Sequence, residues 1–352
     1  MKLVYLDNAA TTKMSKRVIE EMIESFENIY GNPSSTHTLG QKAKAVVENA
    51  RHIVAKNLKV EAKEIVFTSG GAEGNNLVIK GFLKQNKDKG KHIITTKIEH
   101  STVLKTFESL EKQGYDVTYI DVTKDGIIDV EKLKKAVRKD TALVSVMFVN
   151  NETGVIQPIE EIGEFLKEKE IFFHTDAVQA IGKFEIYPKE LRIDALTVSS
   201  HKFYGPKGTG FVFIDKKYNI EKEIFGGSQE RNRRAGTENV NGILGTGVAL
   251  EEVYEKMEVI FEHEKKIQEY LEEKLKNEIG RIQKVEINGE NSRRVKNITN
   301  VFIENTDIQM LLVALDMRGI CVSGGSACMS GSLENSYVLK AMGLNDEILK
   351  SS

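Results

Sequence analysis

The sequence predicts an α/β protein with a mostly parallel central sheet, followed by a smaller α+β domain. Between about residue 64 and about residue 214, β-prone segments alternate with helical patterns. Several of these segments are continuous apolar runs, which are typical of parallel strands covered on both faces. Past about residue 250 the composition changes to heavily charged sequence with apolar residues at helical spacing.

The strands of the large sheet follow from these runs and from the turns between them. A Gly-rich turn separates the first strand from a helix, and the last strand returns directly after a loop at residues 202–208. So short a connection favours an antiparallel strand. The predicted strands are residues 64–68, 92–96, 116–120, 142–148, 171–173, 195–198 and 208–214.

The C-terminal part of the chain predicts a second, smaller unit. Residues 251–279 predict a long linking helix with a solvated face. Short strands at residues 284–287 and 298–303 and a helix at residues 308–317 follow. We therefore expect a large domain at residues 15–255 and a small domain formed by residues 1–14 and 256–352.

Composition and charge exclude several classes of function. The formal net charge of −2 gives no general attraction to nucleic acid or to anionic membranes, so we expect no direct binding to either. No segment approaches the ~20 apolar residues of a transmembrane helix, and no long apolar region precedes Asp7, which predicts a cytoplasmic protein. The spacing of Cys321 and Cys328 fits neither a redox pair nor a zinc knuckle, so we expect no metal site. The basic residues 231–234 are either a solvated turn or a site for phosphate or an acidic partner.

Lys202 lies where a β-prone run ends and a turn rich in Gly and Pro begins. Ser199, Ser200 and His201 precede it. A lysine at the end of a buried strand, flanked by hydroxyls, suits a Schiff base with pyridoxal 5′-phosphate (PLP), because the hydroxyls can hold the phosphate while the amine forms an imine. Upstream, Asp176 ends another apolar strand, where a carboxylate could keep the pyridine nitrogen of PLP protonated.

Residues 68–76, which include Gly71 and Ala72, lie between a predicted strand and a predicted helix. Small residues let backbone N–H groups approach an anion, and a helix N-terminus adds a favourable partial charge. The segment matches neither the Walker pattern nor the GxGxxG fingerprint. A phosphate site and a tight strand-to-helix turn explain it about equally well.

Three further polar residues lie near predicted strand ends. Gln179 and Asn151 could each hydrogen-bond the phenolic oxygen of PLP, and His100 could stack on the ring or carry protons. Any one of them alone is more simply a structural residue. The order and separation of the segments nevertheless favour a common PLP site.

The two cysteines differ in their surroundings. Cys328 lies in a run of small residues, 323–332, which is unlike a protein core and predicts an exposed, mobile thiol. A mobile thiolate can reach a substrate sulfur and carry it away, whereas an inert surface cysteine is the alternative. Cys321 lies between Ile320 and Val322 in an apolar run, so we expect it in the core.

Together these segments resemble the cysteine desulfurases of the NifS/IscS type, which are fold-type I PLP-dependent transferases similar to class-V aminotransferases. The resemblance covers nearly the whole chain, and its last stretches are specific to this family among PLP enzymes. It implies L-cysteine as the substrate and L-alanine as a product. The segments that carry it are residues 5–12, 31–35, His100, 151–154, 176–179, 199–202, 234–237, 326–328 and 344–347.

The resemblance implies a role for each candidate residue. Lys202 would carry the PLP Schiff base and later act as a base, and Asp176 would pair with the pyridine nitrogen. Cys328 would attack the sulfur of the bound cysteine, which leaves a persulfide on Cys328 and releases alanine. Thr237 would reach the phosphate of the neighbouring subunit's cofactor, which implies a homodimer. Gln179 and Asn151 would contact the ring substituents, His100 would stack on the ring, and Ser199, His201, Gly71 and Ala72 would hold the phosphate.

The resemblance also implies a partner that accepts sulfur. The Ser- and Gly-rich segment around Cys328 is similar to the branch of the family that hands sulfur to scaffold proteins. We therefore expect an iron–sulfur scaffold or another acceptor, with iron–sulfur cluster assembly or tRNA thiolation as the use. Two alternatives stay open. The chain could be a selenocysteine lyase or a different fold-type I PLP enzyme, or it could be a weakly active PLP-binding partner of a scaffold protein.

Two features depart from the family's pattern. Ala72 stands where many members have Thr, so a backbone contact to phosphate survives but a hydroxyl contact does not. The sequence ends at Ser352, before the strand that carries the family's substrate-carboxylate arginine. We therefore expect that the sequence is either truncated or incompletely recorded. If the protein ends here, we expect weak substrate binding and a less stable small domain.

Overall fold

The structure, a computed structural model, describes residues 2–325 and 335–352. Within this described part of the chain, each helix is too short or too polar to span a bilayer. The strands are β1 (Val4–Tyr5), β2 (Ile65–Thr68), β3 (His92–Thr96), β4 (Asp116–Ile120), β5 (Thr141–Ser145), β6 (Phe172–Asp176), β7 (Ala195–Ser199), β8 (Gly210–Ile214), β9 (Val285–Ile287), β10 (Val301–Ile303) and β11 (Ile320–Cys321). The helices are α1 (Lys16–Asn28), α2 (Thr38–Asn57), α3 (Gly71–Gln85), α4 (Ser101–Glu111), α5 (Val130–Ala136), α6 (Ile159–Glu168), α7 (Gln229–Asn232), α8 (Val240–Glu255), α9 (Met257–Glu278), α10 (Ile308–Asp316), α11 (Tyr337–Ala341) and α12 (Asp346–Lys350).

The large sheet has seven strands in the order β2-β8-β7-β6-β5-β3-β4. Strand β8 runs antiparallel to both of its neighbours, and every other pair is parallel. This confirms the α/β fold with a mostly parallel sheet and the antiparallel return after the lysine loop. Because β2 and β7 both oppose β8, the carboxyl ends of β2, β3, β5, β6 and β7 lie at one edge of the sheet.

Helices cover both faces of this sheet, which explains the continuous apolar runs. Phe172 packs in the layer that contains α3 and α4, where its ring stacks on that of Phe82 with 3.8 Å between centroids. The next residue, Phe173, belongs to the opposite layer, with α2, α6 and α8. Successive side chains of a strand point to opposite faces, so both must be apolar here.

Strand β6 extends beyond the apolar run at residues 171–173, because buried polar side chains find partners on the neighbouring strands. It continues through His174 to Asp176, the acid that the sequence places at the end of this strand. The ring of His174 is hydrogen-bonded to Ser145 Oγ at 2.9 Å and to Thr197 Oγ1 at 3.0 Å. Burial lowers the pKa of His174 to about 3, so the ring stays neutral inside the sheet.

The part of the chain after residue 250 differs from its prediction in one respect. The single helix expected at residues 251–279 is two helices, α8 and α9, because Lys256 between them has φ −109° and ψ 8°. Two short sheets, a parallel β1-β11 pair and an antiparallel β9-β10 pair, lie outside residues 15–255. The division into a large and a small domain stays a prediction.

A buried ion pair fixes an irregular loop against β2. Arg51 and Glu230 form two N···O contacts of 2.7 Å, and each side chain is only 3% exposed. Glu230 Oε2 also accepts from the Phe67 N–H at 2.8 Å. Glu230, Arg231 and Asn232 have φ values of 48°, 55° and 63°, which residues other than Gly seldom adopt. The ion pair therefore offsets the strain of a left-handed turn that leads into residues 233–237.

We expect Glu230→Gln to lower the free energy of unfolding by about 3 kcal/mol, because it leaves the buried Arg51 charge uncompensated. Urea denaturation would measure the change. Glu251→Gln is the matched control, because it breaks the Arg17–Glu251 pair, whose side chains are 40% and 34% exposed. That control should cost less than about 1 kcal/mol. Equal losses in the two variants would contradict the assignment.

Candidate active site

The carboxyl edge of the large sheet borders a cavity of about 960 Å³. Residues that follow different strands meet there because parallel strands end at the same edge. Part of the lining is apolar and includes Leu311, Leu312 and Leu315 of α10. The sequence-predicted residues that line the cavity are Gly71, Ala72, His100, Asn151, Asp176, Gln179, Ser199, His201 and Lys202.

Lys202 ends a short 3₁₀ turn that directly follows β7. Its Nζ donates to the carbonyl oxygen of Ala9 at 2.5 Å and to that of Ala10 at 2.9 Å. Gln179 Nε2 donates to the same Ala9 oxygen at 2.9 Å. The segment before α1 is therefore held against the lysine, a contact that the sequence analysis missed because backbone carbonyls leave no trace in residue type.

Asp176 is the last residue of β6 and is 5% exposed. Its Oδ2 accepts from Asn75 Nδ2 at 2.8 Å and its Oδ1 accepts from the Val178 N–H at 3.0 Å. Both oxygens therefore accept a hydrogen bond from a group that the fold holds in place. The side chain can thus supply a buried negative charge to a protonated ring nitrogen.

His100 precedes α4 and caps its N-terminus. Its Nδ1 accepts from the Thr102 N–H at 3.2 Å and lies 2.9 Å from Thr102 Oγ1. The capping contact fixes the ring at the cavity wall, where both His100 and Thr102 lie. An aromatic ring held in this way is suited to stacking on a flat ligand.

The N-terminus of α3 forms an anion cradle beside β7. Gly70 has φ +139°, and a Cβ built on it would lie 3.2 Å from Ser199 Oγ. A Cβ on Gly71 would lie 3.1 Å from Val178 Cγ2. Glycine at these positions lets the backbone and the Ser199 hydroxyl approach closely, and the free N–H groups of the first helical turn attract an anion.

His201 lies at the same wall as the cradle. Its Nδ1 is 3.1 Å from Thr11 Oγ1. Burial, together with the positive charges of Lys202 and Lys207, lowers the pKa of His201 to about 4. The ring is therefore neutral at pH 7, and it can contribute a hydrogen bond to an anion but not a charge.

The structure adds a buried acid that the sequence analysis did not single out. Glu152 lines the cavity, and its Oε2 accepts from Ser336 Oγ at 2.5 Å. Among the described residues, Oε1 has no hydrogen-bond partner. Burial raises the pKa of Glu152 to about 7, against the lowering effects of Ser336 and His100. No local pattern distinguishes this glutamate from exposed ones, so only the fold identifies it.

These groups fit PLP. The cradle suits a phosphate, Asp176 suits a protonated pyridine nitrogen, and the Lys202 amine lies at the same cavity. Asn151 Oδ1 is buried without a partner among the described residues. This buried oxygen at the cavity wall therefore leaves a hydrogen bond that a ligand in the cavity can supply.

Two predicted residues, Thr237 and Cys321, are described outside this cavity, and a third, Cys328, is not described. Thr237 is exposed and does not line the cavity. Cys328 lies outside the described residues, so its predicted role is not placed by the structure. The expectation that Cys321 is a core residue is wrong: it is half-buried on the two-stranded β1-β11 sheet, which is too small to cover it.

The comparisons with known proteins agree with this site. The model of the family described as aminotransferase class-V matches residues 4–343. A cysteine desulfurase IscS of Clostridium botulinum is 48% identical over 353 residues, which cover 100% of this chain and 88% of that protein. The solved structure of a NifS-like protein has a TM-score of 0.93 at 38% identity and covers 99% of this chain and 92% of its own. The structure described as SspA in complex with cysteine has a TM-score of 0.84 at 34% identity, and the match covers 99% of this chain and 96% of the SspA chain. The chain therefore belongs to the class-V aminotransferase family and, within it, to the PLP-dependent cysteine desulfurases.

Proposed function

We propose that the chain transfers the sulfur of L-cysteine to Cys328, as a persulfide, and releases L-alanine. The observation that carries this proposal is that Lys202, Asp176 and the N-terminus of α3 meet at one cavity. A chain of similar structure, SspA, is described in complex with cysteine, which supports cysteine as the substrate here.

In this proposal, different residues of the cavity wall contact different parts of PLP. Bound PLP withdraws electrons from the α-carbon of cysteine and so weakens its C–S bond. Asp176 would hold the pyridine nitrogen, and Lys202 would hold the aldehyde carbon. His100 would pack on the ring face. Gln179 and Asn151 would contact the ring substituents, and the phosphate would be held by Gly71, Ala72, Ser199 and His201.

Proton movement is assigned to groups whose partners are known. Lys202 Nζ would accept the proton from the α-carbon of cysteine. The carbonyl oxygens of Ala9 and Ala10 would orient the resulting ammonium group. His100 is a further group at the cavity wall that can hold a proton during turnover.

The sulfur step is balanced between two cysteines. The Cys328 thiolate forms an S–S bond with the substrate sulfur, and the substrate C–S bond breaks. The β-carbon gains a proton, so L-cysteine and an enzyme thiol give L-alanine and an enzyme persulfide. An external thiol or an acceptor protein then removes the outer sulfur. Iron–sulfur cluster assembly and tRNA thiolation, in the reducing cytoplasm, are the proposed uses.

Glu152 has a separate role in the electrostatics of this site. The cysteine carboxylate and the cofactor phosphate both bring negative charge into the cavity. Since burial raises the pKa of Glu152 to about 7, much of this residue is neutral at neutral pH. A neutral acid there avoids repelling an anionic substrate and can still donate a hydrogen bond.

The proposal includes a homodimer in which Thr237 completes the partner's phosphate site. Two observations support it. Thr237 is exposed away from the cavity of its own chain. Ile23, Phe26 and Tyr30 form an apolar stripe at and beyond the end of α1, and they are 54%, 61% and 72% exposed. An exposed apolar stripe of this kind is typical of a protein–protein interface.

Cys328→Ala should reduce alanine and sulfide formation from L-cysteine to background, because it removes the sulfur that accepts the transferred atom. The assay contains PLP and dithiothreitol and quantifies both products. Cys321→Ala, which removes the other cysteine, should retain the parent rate. Undiminished alanine formation by Cys328→Ala would reject the persulfide step and favour another PLP activity.

Light scattering of the purified protein should give a particle mass of twice the 39.5 kDa chain mass, as the proposed homodimer requires.

Thr237→Ala should weaken PLP binding about tenfold, because it removes a hydrogen bond to a charged group. Mixed dimers of Thr237→Ala and Lys202→Ala chains test whether the residue acts across the interface. If it does, each mixed dimer keeps one intact site and is active at limiting PLP. Inactive mixed dimers would place Thr237 in its own chain's site instead.

Glu152→Gln should make stability less sensitive to alkaline pH. A carboxyl whose folded pKa is raised from 4.5 to about 7 stabilises the fold below pH 4.5 and loses that contribution as pH rises through 7. Glutamine does not titrate, so the variant should gain up to about 3 kcal/mol relative to the parent between pH 5 and pH 8. Urea denaturation at both values measures this. Glu168→Gln, at the exposed end of α6, should show no such gain, and equal behaviour of the two variants would contradict the burial effect.

A further inference from the structure

Asn75 links two groups of the proposed cofactor site that lie on different elements. We propose that Asn75 is a positioning residue that orients Asp176 and, through Thr102, holds His100 with its ring hydrogen on Nε2. The inference rests on the proposed function, in which Asp176 and His100 contact PLP. It assigns a role to a residue of α3 that does not itself line the cavity.

The orientation of the Asn75 amide follows from its partners. The residue is completely buried, and its Nδ2 donates to Asp176 Oδ2 at 2.8 Å and to Thr102 Oγ1 at 2.9 Å. A carboxylate can only accept hydrogen bonds, so the amide nitrogen must face Asp176. A flipped amide would place two oxygens against each other in a buried site.

The direction of the next hydrogen bond follows from the first. Thr102 Oγ1 accepts one hydrogen from Asn75, so its own hydrogen is available for His100 Nδ1, 2.9 Å away. The Thr102 N–H donates to the same ring nitrogen at 3.2 Å. A neutral imidazole nitrogen that accepts hydrogen bonds carries no hydrogen. The neutral ring of His100 therefore has its hydrogen on Nε2.

A second observation indicates that this arrangement is more than packing. Asn75 Oδ1 is buried and has no partner among the described residues. A buried oxygen without a hydrogen bond destabilises the fold. An apolar residue of similar size would avoid that loss, whereas only an amide donates to Asp176 and to Thr102 from one nitrogen.

For the reaction, the consequence is that Asp176 and His100 have fixed orientations relative to each other. Asp176 keeps one oxygen on Asn75 and the other on the Val178 N–H, so the carboxylate cannot rotate freely. His100 has a defined tautomer and ring orientation before any ligand binds. Both groups are held through Asn75, which belongs to α3, the helix whose N-terminus forms the phosphate cradle.

The experiment is ¹⁵N NMR of histidine-labelled, PLP-loaded protein, which distinguishes the protonated ring nitrogen from the unprotonated one. His100→Gln assigns the signals among the 7 histidines. The variants are Asn75→Ala, Thr102→Val and Thr102→Ser. Asn76→Ala is the matched control, because that neighbouring amide only donates to the Ala72 carbonyl oxygen of its own helix. PLP affinity is measured for each by titration.

The parent protein and Asn76→Ala should show the His100 hydrogen on Nε2. Asn75→Ala and Thr102→Val should shift the His100 Nδ1 signal, because the Thr102 hydroxyl that donates to this nitrogen loses its orienting partner in the first variant and is absent in the second, while the Thr102 N–H still donates. Thr102→Ser, which keeps the hydroxyl, should restore the parent signals. Asn75→Ala should also weaken PLP binding about tenfold because it removes a hydrogen bond to a charged group, while Thr102→Val should stay within about twofold.

Parent signals that place the hydrogen on Nδ1 would overturn the proposal, as would unchanged His100 signals in Thr102→Val. The Thr102 variants decide the matter if Asn75→Ala does not fold, since valine has nearly the shape of threonine. Failure of the proposed function is recognised separately: Asp176→Asn would then leave PLP affinity unchanged, whatever the state of His100.

Discussion

The arrangement of the site depends on one topological constraint, the common direction of the strands that end at it. Strands β2, β3, β5, β6 and β7 reach the same edge because only β8 reverses direction. Residues far apart in sequence, such as Asp176 and Lys202, are thereby placed at one cavity without any direct contact being needed to hold them. A change in the direction of β6 alone would move Asp176 to the opposite edge.

Helix α3 converts this strand edge into a rigid site. Its first turn supplies the anion cradle, and Glu73 in that turn accepts from the Ser69 N–H at 2.9 Å and from Arg234 Nε at 2.9 Å. Arg234 belongs to the segment that follows the turn anchored by the buried Glu230. The cradle and the segment leading to Thr237 are therefore held to each other through α3.

The sequence could reveal the strand-end residues, because apolar runs that stop at polar residues have a local pattern. Asp176 and Lys202 were predicted in that way, and the structure brings them to one cavity. Asn75 could not be predicted, since its partner Asp176 is 101 positions away and its importance lies in the pairing. Glu152 was missed because its raised pKa comes from burial, and Ala9 because it acts through its carbonyl oxygen.

Burial reduces the number of charged side chains at the cavity below the number of ionisable residues that line it. His201 and Glu152 are both ionisable, yet burial lowers the pKa of the first to about 4 and raises that of the second to about 7. Asp176 differs from Glu152 because N–H groups donate to both of its oxygens, whereas Glu152 has a partner on one oxygen only. The two carboxyl groups at this cavity therefore differ in how many donors compensate their burial: two for Asp176 and one for Glu152.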